Sequence, residues 1–142
     1  MSVKGRIVVI DDEVNAAAAL ETLLAEDGYD VARANDARGG LQLLEKHDPD
    51  VVLTDLRMPG MDGIELLAKI KEMRPETMVI VMTAYGTVKT AVKAMKLGAE
   101  DYLGKPIDVE ELEVVLQKAL ERKGLLAEAR TLRERLEHKY RF

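Results

Sequence analysis

Residues Asp50–Gly63 read DVVLTDLRMPGMDG, and this segment is the most informative part of the sequence. Its apolar run Val51–Leu53 predicts a short buried strand that ends at Thr54 and Asp55. Proline and two glycines follow in the same stretch, so the chain cannot continue as a strand and must turn. In open α/β sheets, chemistry gathers at the carboxyl ends of the strands. Asp55 is therefore the candidate functional residue, although an aspartate also commonly begins a turn.

Further apolar runs alternate with helical patterns on either side of this stretch. The predicted strands are Ile7–Ile10, Tyr29–Ala34, Val51–Leu53, Met78–Met82 and Asp101–Leu103, and the predicted helices begin near Val14, Asp36, Ile64, Thr87 and Asp108. Continuous aliphatic runs of this kind are typical of strands covered on both faces. Alternating strands and helices with right-handed crossovers predict an α/β, doubly wound parallel sheet. We expect the flavodoxin-like (βα)5 arrangement with strand order 2-1-3-4-5 and a long C-terminal helix.

Composition limits what the chain can do. The net charge is -5, which argues against direct nucleic-acid binding because that needs a basic surface. There is no cysteine, so disulfides and thiolate metal sites are excluded and a reducing compartment is compatible. No apolar run approaches the roughly 18 residues of a membrane span. We therefore expect a cytoplasmic protein without a membrane segment.

The segment from Val109 to about Tyr140 differs in kind, with no proline and one glycine, Gly124. Apolar residues keep a 4-3 spacing in two sets, first Leu112, Leu116 and Ala119, then Leu125, Ala129, Leu132 and Leu136. The second set comes one residue early, which predicts local overwinding or a bend at Gly124. Mixed charges flank it, as in helix pairs, so we predict a domain at 1–122 and a coiled-coil linker at 123–142. A single surface helix packed on its own domain is the alternative.

Polar side chains end the other strands at the same predicted edge of the sheet. Asp11 and Asp12 follow the first strand, Thr83 the fourth, and Lys105 the fifth. Adjacent carboxylates repel one another unless a cation is present, and an oxygen-only site favours Mg²⁺, or Mn²⁺ in its place. Helix capping by Asp12 is the alternative, and it leaves the second aspartate unexplained. With a lysine and a hydroxyl beside them, the carboxylates predict phosphoryl transfer to Asp55.

Four motifs carry a resemblance to a known family: Asp11–Glu13, Thr54–Gly63, Thr83–Ala84 and Asp101–Pro106, in that order. Together they resemble the response-regulator receiver domain, over about residues 4 to 122. The resemblance implies that Asp55 accepts a phosphoryl group from a sensor histidine kinase.

The same resemblance implies roles for the surrounding residues. Asp12, Asp55 and the backbone carbonyl of Arg57 would hold Mg²⁺ directly, and Asp11 would assist through water. Lys105 would contact the phosphoryl group and Thr83 would turn toward it. Tyr102 would change rotamer as the aromatic residue of the switch.

The run Met82–Leu103 resembles the NtrC-like subfamily in particular. Those proteins place an AAA+ ATPase and a helix-turn-helix domain after a helical linker and activate sigma-54 polymerase. The resemblance implies such output domains beyond these 142 residues. The apolar stripe of the last helix extends well beyond what one domain needs, so we predict a homodimer through the last helix and linker, whose arrangement controls those domains. A chain of this kind catalyses only its own phosphorylation and dephosphorylation. The alternative is a haloacid-dehalogenase-type phosphatase, which would need an aspartate at the position of Arg57.

Overall fold

The computed structural model describes residues 3–58, 60–84 and 88–140. The elements are β1 (Arg6–Ile10), α1 (Val14–Glu26), β2 (Asp30–Ala34), α2 (Ala37–His47), β3 (Val51–Asp55), α3 (Gly63–Met73), β4 (Met78–Thr83), α4 (Val88–Lys96), β5 (Asp101–Gly104) and α5 (Val109–Tyr140). The predicted alternation is confirmed. Thr87, the predicted start of the fourth helix, lies outside the described residues.

The five strands form one parallel sheet in the order β2-β1-β3-β4-β5, which confirms the flavodoxin-like arrangement. Ile10 lies opposite Thr54, so β1 and β3 end side by side. The strand order reverses between these two strands, and ligands bind beside such a switch point. This topology places the residues after β1 next to Asp55.

Two hydrophobic cores lie on the two faces of the sheet. Side chains alternate between them along each strand, so that Val9 and Leu53 face one core and Val8 and Val52 face the other. Helices α1 and α5 cover the first face, and α2, α3 and α4 cover the second. All residues of β3 and β4 are buried, as the continuous apolar runs predict.

Of three aspartates that the sequence suggests as helix N-caps, two cap a helix in the structure. Asp36 Oδ1 accepts a hydrogen bond from Gly39 N at 2.7 Å, and Asp108 caps α5 in the same way. The capping alternative for Asp12 is wrong. Glu13 holds the N-cap position of α1 without a side-chain capping bond, and Asp11 Oδ1 accepts from Glu13 N at 3.0 Å.

Helix α5 runs without interruption through Gly124, so the change of apolar phase there does not end the helix. Side chains on its inner face are buried as far as Ala119, and every described side chain from Gly124 onward is exposed. The division of the chain at residue 122 and the coiled-coil linker stay predictions. In the described ranges, no helix is both long and apolar enough to cross a membrane.

Candidate functional site

Three carboxylates meet at the carboxyl ends of β1 and β3. Asp11, Asp12 and Asp55 each offer an oxygen, and these oxygens all lie within 4.8 Å of one another. Asp11 is fully buried and Asp55 nearly so, whereas Asp12 is exposed. The ends of the strands therefore bring together three of the residues that the sequence predicts as metal ligands.

Lys105 is the residue directly after β5, and its side chain extends into this cluster. Its Nζ donates to Asp11 Oδ2 at 2.7 Å and to Asp55 Oδ2 at 2.8 Å, and it lies 3.9 Å from Glu13 Oε2. Burial alone would lower the pKa of Lys105, but these hydrogen bonds and the two negative charges hold that pKa above its ordinary value. Lys105 is therefore a charged ammonium at neutral pH, and it offsets part of the repulsion among the carboxylates.

The carboxylate oxygens differ in how far they are engaged. Both oxygens of Asp11 accept hydrogen bonds, Oδ1 from Glu13 N and Oδ2 from Lys105. Asp55 Oδ1 accepts from Arg57 N at 3.0 Å, and its Oδ2 accepts from Lys105. Asp12 takes part in no ion pair within the described part of the chain. The exposed carboxylate is thus the one most open to an added cation.

Thr83 and Tyr102 lie on the neighbouring strands. Thr83 ends β4 and is buried, and its carbonyl accepts from Lys105 N at 2.9 Å. Tyr102 lies opposite Val81 in the sheet. Its hydroxyl is buried without a hydrogen-bond partner among the described residues, and burial raises the pKa of Tyr102. A buried hydroxyl without a partner destabilises the fold, and a move that lets it bond to water or to another group lowers the free energy.

A cavity of about 770 Å³ opens beside the cluster and reaches it at Asp12. Its lining includes Asp12, Arg57 and Thr83 together with Thr90 and Lys93 of α4. Sequence reasoning missed Thr90 and Lys93. Their spacing of three residues places both on one face of α4, but only the packing of α4 directs that face toward the cavity.

Gly63 has a role that the sequence pattern does not reveal, since a glycine at this position indicates only a turn. It begins α3, and its N donates to Leu56 O at 3.0 Å. A Cβ built on Gly63 would lie 2.5 Å from Leu56 Cα and 2.8 Å from Asp55 O. The start of α3 therefore presses against the backbone that carries Asp55.

Comparison with known proteins places these features in a family. The model of the response regulator receiver domain matches residues 7–117. The chain is 43% identical over 136 residues, 96% of its length, to the regulatory protein AtoC of Escherichia coli. It is 39% identical over 117 residues, 82% of its length, to the DNA-binding transcriptional regulator NtrC of Proteus hauseri. It spans 30% and 25% of those two proteins, respectively.

A solved structure agrees in fold and in extent. The crystal structure of NtrX from Brucella abortus superposes with a TM-score of 0.86 and 34% sequence identity, over 93% of this chain and 30% of that one. The expected likeness to NtrC-like regulators is confirmed by these relatives. The acidic cluster with its lysine, the strand order and the family match lead to one conclusion: this chain belongs to the response regulator receiver domain family of two-component signal transduction.

Proposed function

We propose that Asp55 accepts a phosphoryl group from a sensor histidine kinase in two-component signalling. The observation that carries the proposal is the Asp55 carboxylate at the end of β3, which accepts a hydrogen bond from Lys105 and lies beside two further carboxylates. One of these, Asp12, lines an open cavity. A carboxylate oxygen of Asp55 attacks phosphorus, and the bond from phosphorus to the donor imidazole breaks. The electron pair of the broken bond returns to the ring nitrogen, and the imidazole leaves as a neutral ring because its other nitrogen carries a proton.

The donor set fits a hard divalent cation, Mg²⁺ or Mn²⁺ in its place. It offers only oxygen, and the three carboxylates carry more negative charge than Lys105 neutralises. As the resemblance implies, Asp12, Asp55 and the backbone carbonyl of Arg57 would hold the ion, and Asp11 would act through water. When bound, the ion supplies neutralisation of the charge that builds up on the phosphoryl oxygens.

The neighbouring side chains complete the site. Lys105 is held at the Asp55 carboxylate, so a phosphoryl group on Asp55 would meet its ammonium directly. Thr83 lies at the lining of the same cavity and would donate its hydroxyl to a phosphoryl oxygen. Phosphorylation adds roughly one negative charge at Asp55. We propose that Thr83 and Tyr102 respond together, since the buried hydroxyl of Tyr102 has no hydrogen-bond partner in the described part of the chain.

The output would pass through α5 in a homodimer. Exposed leucines along the end of α5 support a contact with a second copy, and relatives that are three to four times longer support further domains. By likeness to NtrC-like regulators, those domains would be an AAA+ ATPase and a DNA-binding domain acting with sigma-54 polymerase in the cytoplasm. This chain would catalyse only its own phosphorylation and dephosphorylation and would not bind nucleic acid itself.

The test incubates the protein with Mg²⁺ and acetyl phosphate. The expected result is one phosphoryl group per chain, acid-stable and base-labile, and absent from Asp55→Asn. Asp62→Asn is the matched control, because Asp62 lines the same cavity and caps α3. Sustained turnover of phosphate esters would instead favour the phosphatase alternative.

The switch has its own test. Near-ultraviolet spectra of the tyrosines should shift when beryllofluoride and Mg²⁺ are added. Asp55→Asn should not respond, since it lacks the carboxylate to which beryllofluoride binds. An equal shift in wild type and Asp55→Asn would contradict the coupling of Tyr102 to the site.

A further inference from the structure

Three ion pairs join α5 to the amino-terminal ends of the strands, at the opposite end of the sheet from the acidic cluster. Each acidic partner lies at the entry to a strand: Asp50 before β3, Glu76 before β4 and Glu100 before β5. Each basic partner lies on α5, and the pairs are Asp50–Lys123, Glu76–Arg130 and Glu100–Arg122. We call them the basal ion pairs. They extend the contact between helix and domain beyond Ala119, the last buried apolar residue of α5.

The Asp50–Lys123 pair is the most sheltered of the three. Lys123 Nζ lies 2.5 Å from Asp50 Oδ1, and both side chains are mostly covered. The other oxygen of Asp50 accepts from Arg6 N at 2.9 Å, which fixes the carboxylate against β1. Lys123 is thus bound to a carboxylate that is fixed to the sheet and would not rotate with the helix.

The helix geometry explains the change of phase at Gly124. At about 100° per residue, Lys123 and Arg130 lie on the same face as Leu112, Leu116 and Ala119. The set Leu125, Ala129, Leu132 and Leu136 lies about 140° away around the axis. We call this set the outward stripe, and its leucines are 46% to 63% exposed. One helix therefore carries two apolar faces, one for its own domain and one that points away from it.

We propose that the basal ion pairs hold α5 in one rotational phase and thereby present the outward stripe to a second copy of this chain. The inference rests on the proposed homodimer through α5. Lys123 and Arg130 are positioning residues in this scheme, because they act on the stripe by fixing the helix that bears it.

The occupant is inferred from the stripe and its flanking charges. Its 4-3-4 spacing is that of a two-helix seam. Taking Leu125 and Leu132 as d positions puts Glu128 at g and Arg133 at the next e. In a parallel pair, Glu128 would face Arg133 of the second copy, so the charges attract twice by symmetry. The same sequence thus offers both halves of the contact.

The first test breaks a basal pair from the domain side, which leaves the sequence of α5 unchanged. Glu76→Arg repels Arg130, and Glu72→Arg is the matched control because Glu72 is exposed on α3 without an ion pair among the described residues. Backbone hydrogen exchange of residues 122–130 should rise about two- to fivefold in Glu76→Arg and stay unchanged in Glu72→Arg. The double variant with Arg130→Glu should restore the wild-type rate.

The second test reads the phase of the helix in the dimer. The chain has no cysteine, so a single introduced thiol gives an unambiguous cross-link. Ala129→Cys lies on the outward stripe, and Ala127→Cys lies on the inner face, beside Pro75 and Met78. Disulfides need Cα atoms about 4–7 Å apart, so oxidation should yield at least about fivefold more covalent dimer from Ala129→Cys. Adding Glu76→Arg should reduce that ratio, and adding Glu72→Arg should not.

The outcomes separate the inference from the dimer itself. No cross-link from Ala129→Cys at tens of micromolar protein would overturn both. Strong cross-linking from Ala129→Cys that Glu76→Arg leaves unchanged would keep the dimer and overturn the role of the basal ion pairs. Equal cross-linking from Ala127→Cys and Ala129→Cys would overturn the assigned phase.

Discussion

Replacing Gly63 by alanine tests whether the start of α3 supports the backbone of the acidic site. The added methyl carbon would lie 2.5 Å from Leu56 Cα, 2.7 Å from Leu56 O and 2.8 Å from Asp55 O. Carbon atoms in contact lie about 3.5–4.0 Å apart, so the backbones must separate by roughly 1 Å. The atoms that must move belong to the main chain, and no flexible side chain can give way in their place.

The expected cost follows from this displacement. Overpacking typically lowers the free energy of unfolding by about 1–3 kcal/mol, and a main-chain contact favours the upper half of that range. Alanine also restricts the unfolded chain, which returns about 0.4–1 kcal/mol. The net loss should be about 2 kcal/mol, or a fall in Tm of about 6 °C for a domain of this size.

Gly124→Ala is the matched control, because nothing lies within 4 Å of a Cβ at Gly124 and the residue is inside α5. That substitution should raise the free energy of unfolding by up to about 1 kcal/mol. Both variants are measured by urea denaturation followed by circular dichroism. Gly63→Ala as stable as wild type would refute the steric argument. A beryllofluoride response lost in Gly63→Ala but kept in Gly124→Ala would tie the packing to the site.

Three further predictions concern charge and burial. Asp12→Asn should raise the Tm by about 3 °C without divalent cations, since it removes one of three mutually repelling carboxylates. We expect Mg²⁺ to raise the Tm of the wild type and to leave the Tm of Asp12→Asn unchanged. Burial alone would raise the pKa of Asp50, but the hydrogen bonds and charges of Lys123 and Arg6 outweigh it and hold that pKa below its ordinary value of 3.8. The contribution of Asp50 to stability is therefore complete above pH 3.8 and disappears as the pH falls through the lower pKa of the folded state. The difference in unfolding free energy between wild type and Asp50→Asn should therefore vanish in acid urea titrations, and a difference that persists there would contradict the linkage. Tyr102→Phe should raise the free energy of unfolding by about 1 kcal/mol in chemical denaturation, because it removes a buried hydroxyl that has no partner among the described residues; a loss of stability would mean that the hydroxyl is bonded.

Much of the site could be predicted because parallel sheets gather their strand ends at one edge. The apolar runs set the strands, and the residues after them, Asp11, Asp55 and Lys105, had to meet once the strand order was correct. Local chemistry set Asp36 and Asp108 as caps. The chain could not reveal that Asp12 leaves α1 uncapped, because a cap depends on the angle at which the chain enters the helix.

The alternation of elements, the order of the strands and the residues of the acidic cluster could be predicted from the sequence, because each depends on periodicity and on topological rules that act along the chain. Which face of each helix meets the domain became clear only from the three-dimensional packing. The inner face of α5 meets the domain through contacts between residues far apart in sequence, such as Asp50 with Lys123 and Glu76 with Arg130. The phase change at Gly124 was visible in the sequence, but that it turns the apolar positions away from the domain became clear only from the position of the helix against the sheet.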